Sequence, residues 1–348
     1  MHIQARRVFR LSLTAALALA IGYGLQLPLA FLAPLFAVML SVKPAPPIGM
    51  KGLFGLIIVV SITLGIGLLL IPLLAHYPFT ALLLVTLGLY LSFYLTINMG
   101  KALVGMFLTV GFTLISAMGT IDFGLAVELI KALVLGIALA IICQWIVYPW
   151  FPEDPVSAGQ DKPPSVGAEQ CNWVALRATI IILPVYILVL INPTFYVPIM
   201  MKGVSLAQQS STMTARNAGR ELLGSTFLSG FFAILFWMLL SIFPHLWMFF
   251  LWMLLFGIYF SGKIYQLIPT RFPSSFWLNV VVTMLILLGP AVGDSDTGKD
   301  VYTAFFIRMS LFVLVTFYAV YAVYLLEYLR GRHQSKALTL QSDLEVTT

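Results

Sequence analysis

From Gly52 to Ala75 the chain runs through apolar residues without one charged side chain, and stretches of the same character recur along its length. Inside a bilayer no water satisfies backbone amides, so such stretches persist only as helices or as strands of a closed barrel. About twenty apolar residues match the ~30 Å hydrocarbon thickness in helical form, whereas a barrel strand would alternate polar and apolar positions. Composition agrees: 61% of residues are hydrophobic and 9% charged, against roughly 45–50% and 25% in soluble domains. The chain reads as an all-α polytopic membrane protein.

Candidate spans fall at about 8–25, 29–42, 52–75, 78–97, 102–118 and 123–150, then at 173–191, 194–209, 221–243, 246–262, 276–293 and 301–329. The second and eighth are short and contain Pro34 and Pro198. Broken helices of that kind are tolerated where protein or a cavity covers the freed backbone. Between the two sets the composition changes to Pro152, Glu153, Asp154, Pro155, Gly159, Asp161, Pro163 and Pro164, the pattern of a linker. The predicted organisation is a six-span repeat over 1–151, a cytoplasmic linker over 152–172, a second six-span repeat over 173–330 and a cytoplasmic tail over 331–348. The apolar run after Arg6, Arg7 and Arg10 continues to about Leu25, which fits an uncleaved first helix better than a signal peptide.

The two sets resemble one another. At an offset of 169, Lys51 falls on Arg220, Leu53 on Leu222, Gly55 on Gly224 and His76 on His245; Gly88, Tyr90 and Ser92 fall on Gly257, Tyr259 and Ser261. Two of the four histidines thus coincide. Six spans per half is an even number, so both halves begin on the same side. The sequence therefore predicts about twelve transmembrane helices as two parallel six-helix repeats, related by an axis near the membrane normal.

Basic residues set the orientation. Counted from an inside N-terminus, inner segments collect Arg6, Arg7, Arg10, Lys43, Lys51, Lys101, Lys162, Arg177, Lys202, Arg216, Arg220, Lys263, Arg271, Arg330, Arg332 and Lys336, while outer loops hold Lys299 alone. Positive charge concentrates on the cytoplasmic side, so both termini are expected there, in a cell inner membrane. The net charge of +6 is then an orientation signal. No basic cluster with interleaved aromatics exists, so no nucleic-acid partner is expected; the lipid bilayer is.

Lys131 and Arg308 carry the strongest site signal. They correspond when Ile130-Lys131 is laid on Ile307-Arg308, each about eight residues into the last span of its half. That depth is on the order of 10–12 Å at ~1.5 Å per residue. Charges there usually face a bundle interior or a water-filled cavity, and two cations around one axis would hold an anion. Snorkelling to the headgroups is the alternative. Glu128, three residues before Lys131, is the candidate proton-titrating carboxylate, or simply its helix-surface partner. His76 and His245 occupy matching turns and read as turn residues or as pH-responsive groups. The polar segment Ser205–Arg220 is either loop or an inner mouth that meets substrate. Cys143 and Cys171 have no motif spacing, and no metal site or other cofactor is predicted. No Gly-rich phosphate loop, HExxH or paired Asp-rich motif is present, so an ion gradient or a partner must supply any energy.

Arg10 and Arg177 near the starts of the first spans, the segment Lys51-Gly52-Leu53-Phe54-Gly55 and its counterpart Arg220-Glu221-Leu222-Leu223-Gly224-Ser225-Thr226 resemble the fusaric acid resistance and aromatic acid exporter superfamily of bacterial inner-membrane proteins. Leu56 stands where that pattern has Ser or Thr. The resemblance implies export of small aromatic or hydrophobic acids beside a periplasmic adaptor of the membrane-fusion type.

The expectation is an inner-membrane transporter, not an enzyme: proton-linked efflux of a small organic anion, with Lys131 and Arg308 on the substrate and Glu128 coupling protons. The alternatives are a non-transporting scaffold subunit and a polytopic enzyme acting on lipid, which would need clustered acids, histidines or cysteines at a membrane surface. Topology tags at Met1, within Gly159–Gly167 and at Thr348 should all report cytoplasm; a periplasmic signal from the central tag would break the six-plus-six count.

Overall fold

A computed structural model describes the backbone of residues 3–154, 168–210, 219–296, 298 and 300–346. The central part of the linker, the polar run Ser211–Asn217, Lys299 and both terminal tag positions lie outside these residues. Twelve helices follow one another: α1 (Ile3–Gly24), α2 (Leu32–Ser41), α3 (Met50–His76), α4 (Pro78–Asn98), α5 (Ala102–Gly119), α6 (Phe123–Val147), α7 (Ala168–Ile191), α8 (Pro193–Ser210), α9 (Gly219–Ile242), α10 (Leu246–Ile264), α11 (Ser274–Asp296) and α12 (Val301–Val346). They follow the expected span order, and the protein is an all-α polytopic membrane protein.

Among the described residues, nine helices are long and apolar enough to cross a membrane. The other three have identifiable reasons. α1 opens with Arg6, Arg7 and Arg10, α2 has ten residues, and α8 carries Pro198 and Lys202. The nine present apolar side chains outward: on α3, Phe54, Ile58, Ile62 and Leu69 form one exposed stripe. Exposed Tyr77, Phe79, Phe243 and Trp247 sit at the matching turns before α4 and α10, where aromatic rings favour a membrane interface.

Local chemistry sets the boundaries. Pro78 occupies the first turn of α4, where its missing N–H costs nothing. Asp122 caps α6 by accepting from the Gly124 amide at 3.1 Å. Within α5 the hydroxyls of Thr109, Thr113 and Ser116 donate back to the carbonyls of Gly105, Thr109 and Phe112, so no buried hydroxyl needs water. The same helix opens into a π turn at Gly111–Ile115. There it meets α3 so closely that a β-carbon on Gly67 would collide with the Gly111 carbonyl.

Packing reveals how the halves are related. α1 lies along α10, and α4 lies along α7, so the first helix of each half packs on the fourth helix of the other. Within each half the pattern repeats: α1 with α2 and α7 with α8, α2 with α6 and α8 with α12, α3 with α5 and α9 with α11. Such reciprocal exchange is what a two-fold relation produces. Across the boundary, Tyr186 of α7 and Ser116 of α5 are hydrogen-bonded at 2.9 Å, and the Tyr265 hydroxyl donates to the Val42 carbonyl at 2.9 Å.

Each half is closed by a buried arginine on its first helix. Arg10 pairs with Glu153, just beyond α6, at 2.9 Å, and Arg177 on α7 pairs with Glu327 on α12 at 2.6 Å. Arg7 also binds Glu153, Arg6 binds Asp154 at 2.9 Å, and Trp173 donates to Glu327 at 3.1 Å. Burial alone would raise the Glu153 carboxyl, but hydrogen bonds and charge from Arg7 and Arg10 outweigh it and hold the group below its ordinary 4.5. A depressed carboxyl contributes stability that is complete above its unfolded value and lost as pH falls through the folded one.

Two tests follow. The thermal midpoint in detergent should fall on acidification below about pH 5, and Glu153→Gln should flatten that dependence while costing about 3 kcal/mol at neutral pH, because Arg10 is left buried without its counter-ion. Separately, Gly67→Val should destabilise by at least ~1–3 kcal/mol, as expected for overpacking, whereas Gly55→Val, with open space around it, should be close to neutral in the same melts.

Candidate functional site

Three cavities adjoin one another along the boundary between the halves. The first, of about 370 Å³, lies at the basic end of α1 and is lined by Arg10, the Ser41–Ile48 segment, α5 and the end of α6. The second, of about 300 Å³, is central and bounded by α2, α5, α6, α8 and α11. The third, of about 590 Å³, lies at the other end of α1, against Tyr23, Gln26, Phe31, Pro198 and Gly289. Met39, Met106 and Leu278 line both the first and the second; Met201 and Ile286 line both the second and the third. The joints are thus made by flexible, unbranched methionines and by Leu and Ile, side chains that can swing without leaving a polar group unsatisfied.

The short helices α2 and α8 build the centre. Their partners α6 and α12 hold them, so their prolines do not expose backbone to lipid. In the α1–α2 connection Gln26 and Leu29 adopt φ of 52° each, a left-handed conformation that costs a non-glycine residue energy, and both line the third cavity.

The central cavity is almost wholly apolar; Ser205, Ser275 and Asn279 are its polar lining residues. Behind Asn279 sits Lys202, fully buried in the middle of α8. Its ammonium donates to Thr283 Oγ1 at 2.8 Å and to Asn279 Oδ1 at 3.5 Å. Asn279 in turn donates to Ser225 Oγ on α9. The cluster therefore joins α8, α9 and α11, and it places one amide between a buried cation and the cavity. Among the described residues no carboxylate lies within ion-pair distance of Lys202. A lysine at mid-membrane costs ~2.5–3.5 kcal/mol even on permissive scales, and such residues mark functional positions.

The sequence reading assigned Lys202 to the inner, loop-side charge. That assignment is corrected: the lysine is buried inside a helix. The missed signal was its place within the eighth apolar segment, well before the polar run that begins at Gln208. Arg10 and Arg177, also counted as inner charges, prove to be buried within α1 and α7.

Lys131 and Glu128 form a 2.8 Å pair on α6, with side chains 58% and 57% exposed. Glu128 is therefore not the partly buried carboxylate that proton coupling required. Arg308 is mostly buried and bridges to Asp294 of α11 at 2.5 Å, an acid from the preceding helix that spacing along α12 could not reveal. Lys131, Glu128 and Arg308 line none of the three cavities, and each cation is paired with a local acid. His76, the last residue of α3, bonds the Pro72 carbonyl at 2.9 Å, and His245 precedes α10; both are exposed. Among the described residues no cluster of His, Cys, Asp and Glu could hold a metal ion.

Comparison with known proteins adds one match. Residues 7–147, from α1 to the end of α6, are similar to a family described as "Protein of unknown function (DUF2955)". That description names no activity and does not mention fusaric acid or aromatic acid export. No curated protein and no solved structure matches the chain.

Proposed function

We propose that this protein is a transporter that carries a small amphipathic organic anion along the three cavities between its halves. The observation that carries the reading is the run of cavities joined by shared side chains and flanked at its centre by the buried cation Lys202. A scaffold has no need of such a route, and a lysine buried in a span with no carboxylate beside it among the described residues is costly to keep charged, a cost that a bound anion offsets. Apolar walls with one cation behind an amide suit a ligand with an apolar body and a single negative charge.

The remaining features are inferred. The resemblance to aromatic acid exporters supports an aromatic or similarly hydrophobic acid, moving outward beside a periplasmic adaptor. The basic residues favour an inner membrane with the Arg10 end facing the cytoplasm. Without a nucleotide-binding motif, the driving force is an ion gradient, protons being the first candidate. Lys202 replaces Lys131 and Arg308 as the expected substrate charge, because it is hydrogen-bonded to Asn279, which lines the central cavity, although it lines no cavity itself.

The test is uptake of radiolabelled benzoate into everted vesicles, scored against the amount of inserted protein. Lys202→Met and Met201→Trp, the second filling a joint, should each reduce transport about tenfold or more; loss of a charged hydrogen bond alone is worth roughly that factor. Lys131→Gln should transport normally. Full transport by the Lys202 and Met201 variants would overturn the route, and a loss confined to Lys131→Gln would return the site to the outer cations.

A further inference from the structure

The first cavity has a chemistry of its own, distinct from the Lys202 cluster. Arg10 lines it with a side chain only 5% exposed. One terminal nitrogen, Nη1, is engaged by Glu153 at 2.9 Å, and the guanidinium carbon lies 5.9 Å from the centre of the Tyr148 ring. The other terminal nitrogen, Nη2, is buried with no hydrogen-bond partner. A guanidinium N–H left so inside a protein forfeits a charge-assisted bond, and a buried orphan of this kind in a cavity wall calls for a ligand.

The surroundings select the ligand's sign. Arg6, Arg7 and Arg10 share Glu153 and Asp154, three positive charges against two negative. Lys43 adds a further cation to the lining, and among the described residues no acid lines the cavity. The Ser41 hydroxyl accepts from Gln144 Nε2 at 2.8 Å, which leaves its own proton to donate. The segment carrying Lys43 is held in place: Trp145 Nε1 donates to the Ile48 carbonyl at 2.7 Å. The remaining wall includes Met39, Leu103 and Met106.

We propose that this cavity is a carboxylate-binding subsite, in which Arg10 Nη2, the Ser41 hydroxyl and the Lys43 ammonium hold the carboxylate of a small organic acid. The acid's apolar body lies against Met39, Leu103 and Met106, two of which also border the central cavity. An arginine with one nitrogen committed to Glu153 and the other open fixes the direction of approach, which a lysine's point charge cannot do. The ligand class rests on the transport reading; the anion site itself rests on Arg10 and its neighbours.

The full chain, purified in non-ionic detergent, is titrated calorimetrically with benzoate, with benzyl alcohol as the neutral analogue. Arg10→Lys keeps a cation for Glu153 and removes the open nitrogen. It should weaken benzoate about tenfold or more and leave benzyl alcohol unchanged. Unaltered benzoate binding in a folded Arg10→Lys protein overturns the subsite. If that variant does not fold, Ser41→Ala and Lys43→Gln decide: each should weaken benzoate several-fold, and wild-type affinity in both overturns it. Inorganic phosphate competing as well as benzoate would make the cavity a general anion site, and displacement by phosphatidylglycerol vesicles would make it a lipid-headgroup site; either result overturns the commitment to a carboxylate. The two readings fail separately. Normal transport by Lys202→Met with benzoate lost in Arg10→Lys removes the route and keeps the subsite, and the opposite pair of results removes only the subsite.

Discussion

Each six-helix half depends on one buried ion pair that joins its beginning to its end. Arg10 on α1 reaches Glu153 beyond α6, and Arg177 on α7 reaches Glu327 on α12. In lipid, apolar side chains gain little by meeting each other, because the solvent is as apolar as they are. Charged groups differ: an arginine buried without its acid is a penalty of several kcal/mol, so the pair specifies which helices must be neighbours. With first and last helices fixed, α2 and α8 are trapped inside their halves, and the short, proline-containing segments never face hydrocarbon. The same closure sets the first and fourth helices outward, where they exchange between halves.

The two halves pack in matching patterns, but their centre is not symmetric. Laying Pro34 on Pro198, an offset of 164, puts Ser41 opposite Ser205 and Val38 opposite Lys202. Val38 is buried and apolar, so one half contributes a charge to the centre and the other does not. At the basic end the asymmetry also reaches the ion pairs, since Trp173 shares Glu327 where Arg6 binds Asp154.

Helix number, order and approximate limits were legible because apolar length and turn residues are properties of contiguous sequence. Pro78 and Asp122 announce their helix starts in the same way. The site was less legible because ion pairing and burial are properties of neighbours. Asp294 neutralises Arg308 from a different helix, and Glu128 beside Lys131 proved as exposed as its partner. Depth along a helix, from which Lys131 and Arg308 were inferred, says nothing about the direction a side chain faces. Lys202 was misread for the opposite reason. Its helix is short and runs into polar residues, so a buried charge resembled a loop charge.

The methionine joints connect this geometry to the transport proposed for it. Under that proposal a solute going from the first cavity to the central one passes Met39 and Met106, and the next step passes Met201. Met39 belongs to α2, the shortest of the described helices at ten residues, and Met201 to α8, which Pro198 interrupts. The strained turn at Gln26 and Leu29 connects α1 to α2 at the third cavity, so a shift of α2 would be felt at both ends of the route. A rotation of α8 would act on the Lys202–Thr283 bond, and one of α2 on the Gln144–Ser41 bond, so the methionine joints are coupled to the polar cluster and to the first cavity.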